Sequence, residues 1–154
     1  MPLLPAALLL TTLLAPAPVR FTWPLPPPHA VVRAFEAPTS PFGPGHRGVD
    51  LAAPAGTPVL ATADATVVYA GAVAARTLVS LQHRNGLRTT YEPVAPLVTA
   101  GAPVRQGEVI GHLQPGHCES PCLHWGARRD RTYLDPLRLL TRSRVRLLPL
   151  SGPP

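Results

Sequence analysis

The sequence predicts a single all-β domain, compact and mainly antiparallel, with one short C-terminal helix. A chain of 154 residues has room for one sizeable core and short extensions. From residue 29 onward, short β-branched runs alternate with breaks that contain Gly and Pro, which is typical of strands joined by turns. The 45% of hydrophobic residues against 14% charged residues argues against disorder.

The predicted strands follow one another along the chain with little between them. Arg84-Asn85-Gly86 separates two of them and has the composition of a hairpin turn, because Asn and Gly tolerate positive φ. Gly56-Thr57-Pro58-Val59 is echoed by Gly101-Ala102-Pro103-Val104, and each segment leads into a strand. Two or more antiparallel sheets over one core are therefore expected. The strands are predicted at Val31–Glu36, Pro58–Ala61, Ala65–Ala72, Leu78–His83, Leu87–Tyr91, Val109–Leu113 and Leu123–Ala127.

The C-terminal part predicts one helix and one further strand. Asp135 followed by Pro136 has the composition of an N-cap and first helical residue, so a short helix is expected over Asp135–Leu140. Arg144–Leu148 is expected to form an edge strand.

The N-terminus indicates export. The apolar run Ala6–Leu14 is followed by Ala15-Pro16-Ala17, the pattern of a secretory signal peptide. The run is too short and too rich in proline for a stable membrane span. We therefore predict a secreted or cell-envelope protein of bacteria with a signal peptide over 1–17, a Pro-rich linker over 18–28, the domain over 29–141 and a C-terminal extension over 142–154.

The basic residues of the chain exclude functions that require lysine. All 14 basic residues are Arg, which gives a net charge of +6 and rules out Schiff-base lysines, phosphate-binding lysines and lysine-tethered carrier arms. A positive surface suits polyanions, including an acidic cell wall. Nucleic acid is not expected as a partner, because the arginines are scattered and are not interleaved with aromatic residues or a recognition helix.

The two cysteines, Cys118 and Cys122, are separated by three residues. In an exported chain such a local pair is most often a disulfide. The alternative is that Cys122 binds a metal as a thiolate, which would close the site and make it structural.

His46, Asp50 and His124 are the candidate metal ligands. Two imidazoles and one carboxylate are a common ligand set for a hydrolytic Zn²⁺, with the fourth position open to water. On a strand through 122–126, Cys122 and His124 share one face, whereas Leu123 and Trp125 pack on the other.

These motifs resemble the lysostaphin-type (LytM-like) zinc metallopeptidases of peptidoglycan. The resemblance lies in Gly45–Asp50, in the following Leu51–Val59, in Gly107–Gly111 and in Leu123-His124-Trp125, and it covers about residues 29 to 141. It implies a LytM-like β fold of the barrel-sandwich type with a groove that holds one Zn²⁺. It also implies that His46, Asp50 and His124 are the three zinc ligands.

The sequence departs from that family at two positions. Cys122 stands where the family has the first histidine of its final H-x-H strand, and Pro93 stands where a second active-site histidine follows the T-x-Y segment. A positioned base contributes about 10²–10⁴ in rate, so its loss predicts weak activity unless another group substitutes. The candidate substitutes are His117 and Glu92, with His112 and Glu119 nearby in sequence.

Two functions remain open from the sequence. One is a secreted zinc endopeptidase that acts on peptidoglycan peptides. The other is a non-catalytic relative that binds peptidoglycan or regulates another wall hydrolase. A biotinyl or lipoyl carrier has similar repeated Gly-x-Pro-Val segments, but the absence of Lys excludes its carrier function. A monomer is expected in either case.

Overall fold

The computed structural model describes residues 18–28, 30–40 and 42–140. Strands arranged in antiparallel sheets and one short helix confirm the predicted fold class. The strands are β1 (Ala30–Arg33), β2 (Gly48–Ala52), β3 (Pro58–Leu60), β4 (Ala65–Val73), β5 (Arg76–Gln82), β6 (Leu87–Glu92), β7 (Val94–Pro96), β8 (Pro103–Val104), β9 (Val109–Leu113), β10 (Cys122–Arg129) and β11 (Thr132–Leu134), followed by helix α1 (Leu137–Leu140).

The strands form one large and one small open sheet. The large sheet has the order β1-β2-β10-β6-β5-β4-β8, with β11 paired to β10. The small sheet has the order β3-β9-β7. Every strand pair is antiparallel.

The core lies between the two sheets because strands of both sheets turn apolar residues towards the space between them. In β6, Leu87, Thr89 and Tyr91 are buried, whereas the alternate residues reach the opposite, accessible face. In β10, Leu123 and Trp125 are fully buried. The accessible face of β2, β10 and β6 is the face that carries the candidate site.

Several strands begin directly after turns that the sequence predicted. The Arg84–Gly86 turn joins β5 to β6, with Gly86 at φ 81° and the Asn85 side chain accepting a hydrogen bond from the Leu87 amide. Gly56 and Gly101 also have positive φ and precede β3 and β8, so the repeated Gly-x-Pro-Val segments are two equivalent turns into strands.

Some elements differ from the prediction. Strands β2, β7, β8 and β11 were not expected, since most of them are too short for an alternating pattern. The helix is shorter than predicted and spans Leu137–Leu140, although Asp135 caps it by accepting a hydrogen bond from the Leu137 amide. The predicted signal peptide and the predicted edge strand at Arg144–Leu148 lie outside the described residues.

Residues 18–28, here called the N-terminal strap, run along the domain without regular secondary structure. Leu25 is part of the core, and the carbonyl of Pro24 accepts a hydrogen bond from the Leu60 amide. Phe21 belongs to a second, smaller apolar cluster with Ala63 and Leu87. The segment predicted as a linker therefore packs as part of the domain, because its apolar residues interrupt the prolines at regular intervals.

A buried polar network connects the two apolar clusters. The Tyr91 hydroxyl is hydrogen-bonded to the hydroxyls of Thr62 (2.8 Å) and Thr89 (2.9 Å), and Thr89 in turn bonds His83 Nε2 at 2.8 Å. The other ring nitrogen of His83 lies 3.1 Å from the carbonyl oxygen of Asp64. Burial lowers the pKa of His83, and the hydrogen bond to Asp64 opposes this only in part. His83 is thus a structural residue of the core.

Within the described residues, no helix has the length and apolar character needed to cross a bilayer.

Candidate metal centre

The candidate ligands meet where β2, β10 and β6 lie side by side. His124 of β10 is directly opposite Asp50 of β2 on one side and Glu92 of β6 on the other. Residues in direct register point to the same face of a sheet, so the three side chains project together. His46 precedes β2 and is fixed by a pair of backbone hydrogen bonds with Glu36.

Three polar atoms converge at this point. Asp50 Oδ1 lies 2.8 Å from His124 Nδ1 and 3.0 Å from His46 Nε2, and the two ring nitrogens are 3.1 Å apart. The ligands of one tetrahedral zinc ion lie about 3.3 Å from one another. The spacing therefore fits a single small cation held between the three atoms.

The tautomer of His46 supports the same conclusion. His46 Nδ1 lies 2.7 Å from the carbonyl oxygen of Ala34, which can only accept a hydrogen bond, so Nδ1 carries a proton. In the neutral ring, Nε2 then offers a lone pair to the cluster. A backbone carbonyl that fixes the second ring nitrogen is the usual arrangement for histidines that bind metals.

Gly48 leaves the space that the His124 ring occupies. A Cβ atom on Gly48 would lie 2.7 Å from His124 Nε2 and 2.5 Å from the carbonyl oxygen of Trp125. A Cβ atom on Gly126 would lie 3.7 Å from the same nitrogen, an ordinary van der Waals distance. Gly48 was not identified from the sequence, although it lies inside the segment between the first two candidate ligands.

Asp50 is held in its charged form. Burial alone raises the pKa of its carboxyl group, but hydrogen bonds from His117 and His124 and the charges of His124 and His46 outweigh burial and bring the pKa below its usual range. A buried carboxylate with imidazoles around it is available as a ligand at neutral pH.

His117 is the fourth side chain of the cluster. Its Nε2 lies 3.2 Å from Asp50 Oδ1, its Nδ1 lies 3.8 Å from Glu92 Oε1, and its ring is 4.9 Å from that of His124. Its side chain is 15% exposed, so it faces both the cluster and solvent. Glu92 also receives a hydrogen bond of 3.0 Å from Arg76.

The other two predicted substitutes are not part of the cluster. His112 is in β9 of the small sheet, opposite Pro58 and Ala95. Glu119 is an exposed residue of the loop before β10 and lines a cavity that Asp50 and His117 also line. The structure therefore brings His117 and Glu92 to the predicted ligands, leaves His112 in the small sheet and places Glu119 at the edge of the site.

Cys118 and Cys122 form a disulfide. The bond closes the loop between His117 and β10, and it leaves no Cys122 thiolate to bind a metal. Pro93, at the second departure from the family pattern, is buried and has no side-chain group that can donate or accept a proton.

The cluster lies between two cavities on the same face of the large sheet. A cavity of about 430 Å³ is lined by Asp50, His117 and the disulfide loop. A cavity of about 200 Å³ on the other side is lined by Glu92, His124 and Gly126 among others. We call these two cavities, with the candidate metal centre between them, the groove.

Comparison with known proteins identifies a matching family and several similar proteins. Residues 44–136 match the model of peptidase family M23. An uncharacterized protein of Mycobacterium tuberculosis is 52% identical over 140 residues, which cover 86% of this chain and 56% of the relative. The DD-carboxypeptidase/endopeptidase Mpg of Neisseria meningitidis is 37% identical over 94 residues, which cover 60% of this chain and 22% of Mpg.

A solved structure agrees with these matches. The catalytic domain of the antimicrobial peptidase lysostaphin from Staphylococcus simulans superposes with a TM-score of 0.63 at 25% identity, covering 73% of this chain and 92% of that domain. The chain spans about half the length of the mycobacterial relative and about a fifth of Mpg.

Proposed function

Because the chain belongs to peptidase family M23, we propose that it is a zinc-dependent endopeptidase that hydrolyses the peptides of bacterial peptidoglycan outside the cytoplasm. The observation that carries the proposal is the convergence of His46, Asp50 and His124 within 3.1 Å of one another. In this proposal the three side chains hold one Zn²⁺ and leave a coordination position open towards His117 and the groove.

The donor set fits zinc. Neutral imidazole nitrogens and a carboxylate oxygen are common ligands of catalytic zinc, and the carbonyl of Ala34 keeps the His46 lone pair directed at the site. When bound, zinc supplies a Lewis acid that polarises the carbonyl of the peptide bond and lowers the pKa of water.

His117 is the proposed general base and acid. Its imidazole is close enough to the three ligands to take a proton from water and to return it to the amine that leaves. The carboxylate of Glu92 faces the other ring nitrogen at 3.8 Å. His117 in this way takes over the role that Cys122 and Pro93 cannot perform.

The substrate and location are supported by the relatives and by the sequence. Mpg is a DD-carboxypeptidase/endopeptidase, and lysostaphin is an antimicrobial peptidase. A disulfide and a predicted signal peptide are both consistent with a protein that acts, as a monomer, in the cell envelope.

The second candidate is a non-catalytic protein that binds peptidoglycan or regulates another wall hydrolase. It is favoured by the absence of histidine at positions 93 and 122. The position of His117 favours the enzyme instead, since the cluster has an imidazole besides the three proposed ligands.

Zinc content and hydrolysis measured on the same preparations separate these functions. The wild type is expected to bind one zinc per chain and to cleave cross-linked stem peptides, with products identified by mass spectrometry. His46→Ala should lose both properties, and the control His112→Gln should keep both. Wild-type protein with zinc but no cleavage of any wall peptide would support the non-catalytic function, and wild-type protein that binds no zinc would contradict both the metal site and the enzyme.

A further inference from the structure

Two arginines face each other at the end of the groove. Arg128 of β10 is directly opposite Arg88 of β6, four residues along each strand from the pair His124–Glu92. The side chains in these positions project to the same face as His124, because alternate residues of a strand share a face. We call Arg88 and Arg128 the arginine pair.

The arginine pair has no carboxylate partner. In the part of the chain that the structure describes, the ion pairs of arginine include Arg76–Glu92 and Arg138–Asp135, and neither of these involves Arg88 or Arg128. Arg88 donates instead to the Gln82 side chain at 3.3 Å, and Arg128 donates to the Asp130 carbonyl at 3.2 Å. Like charges in direct register destabilise a sheet. The acidic residue Asp130 lines a second cavity together with both arginines, on the side away from the metal centre.

Small residues separate the arginine pair from the metal centre along the strands. Thr90 and Gly126 are in register between the two rows, and Gly48 follows on β2. Thr90 and Gly126 line the 200 Å³ cavity together with the arginine pair, Arg47 and Tyr133. His124 and Glu92 line the same cavity, so it reaches from the arginine pair to the metal centre.

The distance between the arginine pair and the metal centre determines how many residues separate the bound anion from the cleaved bond of a substrate. Four residues of a strand span about 13 Å, and arginine side chains can reach back over part of that distance. An extended peptide advances about 3.3–3.6 Å per residue. A group bound by the arginine pair is then two to four residues from a peptide bond at the metal centre.

We propose that the arginine pair is a carboxylate-binding subsite that selects peptides with a free carboxylate two to four residues from the bond that is cleaved. The inference rests on the proposed peptidase function and adds its substrate class, acidic wall peptides as opposed to uncharged bridges. Arginine suits this role because its planar guanidinium can donate two parallel hydrogen bonds to one carboxylate.

A panel of stem-peptide dimers, each with one carboxylate converted to a carboxamide, tests the subsite in hydrolysis. For the zinc-loaded wild type, one amidation within two to four residues of the cleaved bond should lower kcat/KM by about ten- to hundredfold, mainly through KM. The double variant Arg88→Gln/Arg128→Gln should lose this discrimination. The control Arg105→Gln removes one charge next to β8, an edge strand of the large sheet, and should retain it.

Binding without turnover separates the subsite from the peptidase function. The same peptides are titrated calorimetrically onto zinc-free wild type and double variant, and the acid peptide should bind more tightly than its amide only to the wild type. If no variant hydrolyses any peptide but this difference holds, the subsite stands without the enzyme. Equal binding and equal cleavage of acid and amide by the wild type would overturn it, as would tight binding of inorganic phosphate with no preference for the carboxylate.

Thermal unfolding completes the test. Because the two charges repel each other, the double variant should be as stable as the wild type or more stable. A clear loss of stability would show that the arginines serve the fold and would overturn the proposal.

Discussion

At the scale of single residues, His117 is the proposed general base and acid of the site. We expect His117→Gln to lower the hydrolysis rate by about 10²–10⁴-fold, because the amide keeps a similar size but cannot take up a proton. Zinc content should stay at the wild-type level, since the three proposed ligands are untouched. Rates and metal content measured on one preparation give the result, with His112→Gln as the control. Loss of zinc together with activity would instead make His117 a fourth ligand.

Gly48 is the residue whose side chain must be absent for His124 to stay in place. We expect Gly48→Ala to lower the free energy of unfolding by about 1–3 kcal/mol and to weaken zinc binding, because its Cβ meets the His124 ring and the backbone of β10. Gly56→Ala is the matched control. It costs about 1–2 kcal/mol through its positive φ but has open space around it, so it should leave zinc affinity unchanged. Equal zinc affinities of the two variants would contradict this account.

Site residues differed in how far the sequence alone could identify them. His46, Asp50 and His124 were predicted as ligands from residue type and family resemblance, and the structure brings them together. His117 could not be separated from His112 or Glu119, because residues in loops carry no periodicity that fixes their direction. Its place depends on the path of the loop that the disulfide closes, and that path is a three-dimensional property.

At the scale of elements, the disulfide loop before β10 determines where His117 lies. Reduction of the bond, or the double variant Cys118→Ser/Cys122→Ser, should lower the free energy of unfolding by about 2 kcal/mol, the value expected for so small a ring. Hydrolysis should fall with it because His117 is released, whereas zinc content should persist. Chemical denaturation measures the free energy of unfolding, and assays at saturating zinc measure the hydrolysis rate. Unchanged hydrolysis after reduction would show that the loop holds its shape without the bond.

Some strands could be predicted from the local sequence pattern, whereas others depend on pairing with distant parts of the chain. Runs with clear alternation, such as β5 and β6, were predicted within a few residues. Strand β2 was not, because four of its five residues are buried and Gly48 and Asp50 interrupt the apolar pattern. Strands as short as β8 have too few residues for any pattern and exist only because a neighbouring strand pairs with them.

At the scale of the whole molecule, the buried His83 links the stability of the fold to pH. Its pKa is lowered in the folded protein from the ordinary value of 6.5, so below that pH the unfolded chain binds this proton more readily than the folded protein does. Stability from this residue is therefore present above about pH 6.5 and is lost as the pH falls.

We expect the free energy of unfolding of the wild type to fall more steeply between pH 7 and pH 5 than that of His83→Gln. Denaturation at a series of pH values measures the two slopes, and the difference between them removes the contribution of the other histidines. The variant has a lower stability throughout, since it loses hydrogen bonds to Thr89 and Asp64. Parallel slopes would contradict the assignment.

The docking of the N-terminal strap has a consequence for how folding can be observed. The chain has two tryptophans, of which Trp23 lies in the strap and packs against the core, and Trp125 lies fully buried behind His124. Their indole emission shifts to longer wavelength when water reaches them, so one optical signal reports both the strap and the strand that carries a proposed zinc ligand. Since Leu25 joins the strap to the same core as Trp125, detachment of the strap uncovers part of that core, and the fluorescence of the intact protein should change in a single step.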